Sequence, residues 1–144
     1  MQCSLSEAVA LASQSCSICY GLGIRSLGTR PICRCVWRRI FRICYERFRE
    51  CTAAEQDALG AEFVADFCRV SRLALTPHEH RLFRFHFLLA AECAACCGKL
   101  GLNRGEFFHS VYRIEEKIGS ALIVNGLFPL DDYFPRRPNG YLAA

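Results

Sequence analysis

Four cysteines carry the clearest chemistry in the sequence. Cys16-Ser17-Ile18-Cys19-Tyr20-Gly21-Leu22-Gly23 sets two thiols two residues apart, followed by glycines that let the backbone fold back under an ion. Two thiolates at that spacing can grip one Zn²⁺, and Cys33-Arg34-Cys35 could complete a four-sulfur site. The one-residue gap in this second pair strains tetrahedral ligation, which leaves Cys44 or Cys3 as substitute ligands. Unligated thiols in a loose loop are the rival reading. A redox Cys-x-x-Cys is disfavoured, because no βαβ pattern surrounds it. If zinc binds, it orders the loop and anchors the helix behind it, since metal binding couples to folding.

The elements that must position these groups read as helices. Ser, Thr or Asn followed three residues later by Glu is the reciprocal N-cap pattern, and it occurs at Ser4 with Glu7, Thr52 with Glu55, Thr76 with Glu79 and Asn103 with Glu106. Pro77 strengthens the third, because a first-turn residue has no use for its N–H. Sustained period-two alternation is absent, so no strand series is expected. Residues 15–34, rich in Ser and Gly, read as a loop. A helix is expected from Arg34 to Glu50, with Trp37, Ile40, Phe41, Cys44, Tyr45, Phe48 and Cys51 on one side and arginines opposite. The next, from Ala53 to about Arg72, carries the stripe Leu59, Phe63, Phe67 and Val70. Its apolar face is expected against the arginine-bearing helix, whose arginines are then solvated or lie along DNA phosphates or a membrane surface. Three more helices follow, and residues 125–144 read as an irregular tail that packs back on the last helix.

A helix-turn-helix needs a small residue where its helices meet, a turn residue tolerating positive φ, and buried apolar residues that set the crossing angle. Cys97, Gly101, and the set Cys96, Leu100, Leu102, Phe107 and Val111 meet those needs, with Asn103 as cap of the second helix. Leu75-Thr76-Pro77-His78-Glu79, Arg84, Phe87-Leu88, Leu100-Gly101-Leu102-Asn103-Arg104-Gly105 and Arg113-Ile114-Glu115-Glu116-Lys117-Ile118 resemble region four of bacterial sigma factors without a gap over residues 75–118. That resemblance implies a recognition helix in the major groove of double-stranded DNA. Asn103, Arg104, Glu106, Phe108, His109, Tyr112 and Arg113 would stand at its DNA face, and RNA polymerase would be a partner. The sequence departs from the family at Phe108 and Ser110, where bases are usual, and at Ala94 and Ala95, where acids are usual. Fewer neutralised phosphates imply weak DNA binding by the chain alone, so that it reads an unusual site, works beside polymerase, or turns the helix to a protein partner. The cysteine loop, in turn, resembles half of the zinc module of J-domain co-chaperones over residues 16–35, where the second pair would be Cys-x-x-Cys.

Composition bounds the rest. The 144 residues are 52% hydrophobic and 22% charged, enough to fill a core and too apolar for a disordered chain. The net charge of +4 permits an anionic partner, and residues 1–51 hold the excess, with eight arginines against Glu7, Glu46 and Glu50. Eleven cysteines would suggest a disulfide scaffold in a secreted chain, but the segment from Met1 to Glu7 lacks a basic n-region. A reducing, cytoplasmic setting is therefore expected, with no membrane span. Cys93, Cys96 and Cys97 read as small core residues. His78, His80, His86 and His109 show no ligand or triad spacing, so no enzyme is expected. The expectation is an all-α small helical bundle. A cysteine loop and two supporting helices occupy 1–74, a helix-turn-helix 75–124 and a tail 125–144. Its function would be transcription regulation of the compact kind found in phage and prophage proteins. The alternatives are a protein-interaction adaptor or anti-activator, and a zinc-dependent chaperone-like accessory protein.

Overall fold

The computed structural model describes residues 5–24, 32–53 and 58–135, and these form an all-α fold. The helices are α1 (Leu5–Val9), α2 (Arg34–Ala53), α3 (Ala58–Ala74), α4 (Pro77–Phe83), α5 (Cys93–Leu100) and α6 (Arg104–Val124). A π-helical turn (Arg84–Leu88) extends α4, and a 3₁₀ turn (Leu130–Asp132) follows α6. One antiparallel bridge, Ile24 to Ile32, is the only strand-like pairing among the described residues.

Val36, Ile40, Phe41, Cys44 and Phe48 recur at three- and four-residue steps and are buried, which gives α2 one apolar face. That face meets α6 far more extensively than it meets α3, the partner expected from the sequence. The reason lies on α6. Its stripe of Phe107, Val111, Ile114, Ile118 and Leu122 is longer, and Gly119 lets the two backbones touch. A methyl group built on Gly119 would overlap the Trp37 carbonyl. Glu115 is buried in the same seam, 3.2 Å from Arg42 Nε and 3.5 Å from Arg38 Nε. Two of the arginines expected to be solvated therefore neutralise a carboxylate between helices.

In α3, Phe63, Phe67 and Val70 are buried, whereas Leu59 is 39% exposed and leaves the stripe. Thr52 does not cap this helix: it lies in the last turn of α2 and donates to the Arg49 carbonyl at 3.0 Å. Glu55 and Ser4, the other members of two expected caps, lie outside the described residues. Aromatic rings knit α2 to α3, with Phe48 and Phe67 stacked at 4.6 Å between centroids. The tail up to Pro135 returns to the same place. Tyr133 donates to Asp66 at 2.6 Å, Phe134 packs edge-on to Phe63, and the Arg47 guanidinium lies 3.9 Å from the Phe134 ring. One cluster of buried side chains thus joins Ala8 to Phe134. No helix among the described residues is long and apolar enough to cross a membrane.

Candidate metal centre and helix-turn-helix

The four loop cysteines converge. The Sγ atoms of Cys16, Cys19, Cys33 and Cys35 all lie within 4.8 Å of one another. Cys16 and Cys33 are 3.7 Å apart and Cys19 and Cys35 3.6 Å. The edge of a tetrahedron with metal–sulfur bonds of about 2.3 Å is about 3.8 Å, so these sulfurs could hold a metal ion. Cys44 is buried in the apolar core and is no substitute ligand, and Cys3 lies outside the described residues.

The short gap between Cys33 and Cys35 is tolerated because of where it falls. Cys33 stands immediately before α2, its carbonyl accepting from the Val36 amide at 3.0 Å, and Cys35 lies in the first helical turn. One sulfur is thus set just outside the helix and the other within it, and both reach the same cluster. The Cys33 amide donates to the Gly23 carbonyl at 2.9 Å, which brings the two halves of the loop together. Gly23 has φ +75°, and a side chain there would strike the backbone of Val9 at the end of α1. This glycine is therefore needed both for its conformation and for the close approach.

Backbone amides are aimed at the sulfurs. The Cys19 and Ile18 amides, the latter 3.4 Å away, lower the Cys16 thiol to about 6. Burial pushes Cys35 up to about 12 despite a hydrogen bond from the Ser13 amide, and burial also raises Cys33. A cation bound here would displace the protons of Cys33 and Cys35.

The second half of the molecule holds the residues from which a helix-turn-helix was expected. Thr76 and Glu79 form a complete capping box at the start of α4, and Asn103 and Glu106 form another at the start of α6. Gly101 ends α5 in the left-handed conformation with φ +68°. Cys96, Phe107 and Val111 are buried and Leu100 and Leu102 half-buried, while the His86 ring stands edge-on to Phe107 at 5.0 Å. Lys117 on α6 donates to both carboxylate oxygens of Glu79 at 2.8 Å. Burial alone would raise Glu79, but the Lys117 ammonium and the Thr76 amide outweigh it and hold the carboxyl below its ordinary range. Cys93 and Cys97 are half-buried against the core, with their sulfurs 3.9 Å apart.

Among the expected DNA-face residues, Asn103, Arg104, Glu106, His109, Tyr112 and Arg113 are exposed and Phe108 is half-buried. Asn103 and Glu106 spend their side chains on the cap, Asn103 Oδ1 accepting from the Glu106 amide at 2.8 Å. Arg104 lies over the Phe108 ring at 5.2 Å, and Arg113 donates to His109 Nε2 at 3.2 Å. The cysteine cluster stands beside this face. Arg38, one turn beyond Cys35, has its guanidinium 4.0 Å from the centre of the Tyr112 ring, and Arg34 lies 3.9 Å from Glu116. Arg34, Arg38, Glu115 and Glu116 are missing from the sequence-based site. Arg34 and Arg38 were signalled only by their spacing beside Cys35, and Glu115 and Glu116 only by their place in the 113–118 stretch, neither of which says which helix they face. Set against family models, curated proteins and solved structures, the chain matches none.

Proposed function

We propose that the chain is a zinc-structured, sequence-specific DNA-binding regulator of transcription that reads the major groove with α6. The observation that carries this reading is the first half of α6. It buries Phe107 and Val111 and turns Arg104, His109, Tyr112 and Arg113 outward, directly after a left-handed turn. Arginine can pair with the guanine O6 and N7 edge or with phosphate, and Tyr112 offers an apolar surface to a thymine methyl. The resemblance of residues 75–118 to sigma region four supports the same use of the helix and points to action at or with RNA polymerase in the cytoplasm.

The metal is zinc on the chemistry of its donors. Four sulfurs in a small tetrahedral cluster suit a soft or borderline ion and repel magnesium or calcium, which take oxygen. Bound there, zinc would cross-link the loop to the first turn of α2. Elemental analysis of protein purified under reducing conditions should find one zinc per chain, and none in Cys16→Ser.

Selection from a randomised duplex pool at two salt concentrations tests the DNA reading. The expected result is enrichment of one site, lost in Arg104→Ala at a cost of about 1–3 kcal/mol. Equal affinity of parent and variant for every sequence would remove α6 as the reader. A second reading, a protein-interaction adaptor, is favoured by one feature: an open groove of about 1060 Å³ whose lining includes Phe41, Tyr45, Phe87 and Phe108. Alanine at Phe108 and Tyr112 with unchanged DNA affinity and lost regulation would establish that alternative.

A further inference from the structure

The metal module and α6 share one wall, and the space between them is cationic. A recess of about 290 Å³ is lined by Arg34 and Arg38 from the start of α2 and by His109, Tyr112, Arg113 and Glu116 from α6. Three guanidinium groups line it against one lining carboxylate, Glu116, while buried Glu115 behind Arg38 is shared with Arg42. Arg34 reaches Glu116 only at 3.9 Å, and among the described residues Arg113 has no carboxylate partner. Arg38 is held in place by the Tyr112 ring on one side and buried Glu115 on the other. An incompletely neutralised, pre-positioned cluster of this kind suits an anion with several acceptor oxygens, because each guanidinium donates a planar pair of N–H groups.

We propose that this recess receives a backbone phosphate of the duplex whose bases α6 reads, which makes the metal module part of the DNA interface. The proposal rests on the DNA-binding reading above. Arg34 lies between the ligands Cys33 and Cys35, and Arg38 follows one turn later. Drawing the four sulfurs together therefore fixes both arginines relative to Arg113. The metal module sets how tightly DNA is held, and α6 sets which sequence is chosen. Phosphate contacts carry affinity and register, and base contacts carry sequence.

The test is fluorescence anisotropy of the zinc-loaded full chain with mixed-sequence duplexes over a range of salt. Each phosphate contact contributes about 0.9 to the slope of log affinity against log salt. Arg34→Ala and Arg113→Ala should each flatten the slope by about that amount, weakening binding about 8-fold at 0.1 M salt on every duplex alike. Arg34→Lys, which keeps the charge, should restore the slope, and Arg49→Ala, near the far end of α2, should leave it unchanged. Zinc content and helical circular dichroism equal to the parent's certify the fold of each variant. If the parent binds DNA and both alanine variants keep its slope, the phosphate subsite is wrong and α6 remains the reader. Equal flattening by Arg49→Ala would also overturn it, as a diffuse charge effect. A parent that binds no duplex at low salt overturns both readings.

Discussion

The cysteine module and the α3–α6 core fix their backbones by different means. In the module, Ile18, Tyr20, Leu22 and Ile24 are all substantially exposed, and what converges is sulfur. In the core, seven residues of α6 are buried and rings of α2 and α3 stack on one another. Among its described residues the loop buries little apolar surface to offset the entropy of its own ordering, whereas the core buries much. The clustered thiols and the buried rings thus mark two parts of the molecule, and α2 belongs to both, with Cys35 in its first turn and Phe41, Tyr45 and Phe48 further along.

The largest expected effect separates the two halves. Structural zinc sites contribute about 10–16 kcal/mol in isolated zinc-finger peptides. Chelation, or Cys19→Ser, should therefore abolish hydrogen-exchange protection at the amides of Cys16, Tyr20, Leu22 and Cys33 while α3 and α6 stay protected. Equal protection with and without metal would show that the loop is held by burial after all. The converse variant is Phe67→Ala in the ring stack, expected to cost about 3–5 kcal/mol in denaturant unfolding while zinc stoichiometry stays at one.

Gly119→Ala sharpens the comparison, because it acts where the halves meet. Forcing α6 off the Trp37 carbonyl should cost about 1–3 kcal/mol and also weaken zinc affinity, since Trp37 is two residues from Cys35. A loss of stability with zinc affinity intact would mean that the start of α2 is held by its sulfurs alone. Smaller still, Asn103→Ala removes one cap and should cost about 1 kcal/mol, confined to α6 and without effect on zinc.

Acid should weaken the core in two stages. Burial, with Arg72 and Arg84 nearby, lowers His80 from its usual 6.5, so the fold prefers the neutral ring. The unfolded chain then binds the proton more readily, and stability present above 6.5 is lost as pH falls below it. Glu79 is also lowered, from 4.5, so its contribution is present above that value and lost as pH falls further. Unfolding midpoints measured from pH 7 to 3 should show both losses. His80→Gln should remove the first and Glu79→Gln the second.

Much of this was legible in residue order because it depends on neighbours in the chain. Caps join residues three apart, so the boxes at Thr76 and Asn103 and the turn at Gly101 could be read directly. The helical class followed from three- and four-residue spacing of apolar side chains, and the cysteine pairs from their own spacing. The same local rules misplaced Thr52, because nothing in four residues tells the end of one helix from the start of the next.

Sequence by itself determined which groups exist and at what intervals: two pairs of thiols, an arginine-bearing helix and a capped helix after a left-handed turn. Only the tertiary structure decided that α2 seats on α6 rather than chiefly on α3, that Arg38 and Arg42 neutralise Glu115, and that Cys33 and Cys35 meet Cys16 and Cys19 despite their short gap. The physical reason is range. Periodicity and capping are set by bonds within a turn of chain, whereas helix pairing depends on which distant surfaces exclude water and tolerate close backbones. At Gly119 a single missing methyl group settles the matter.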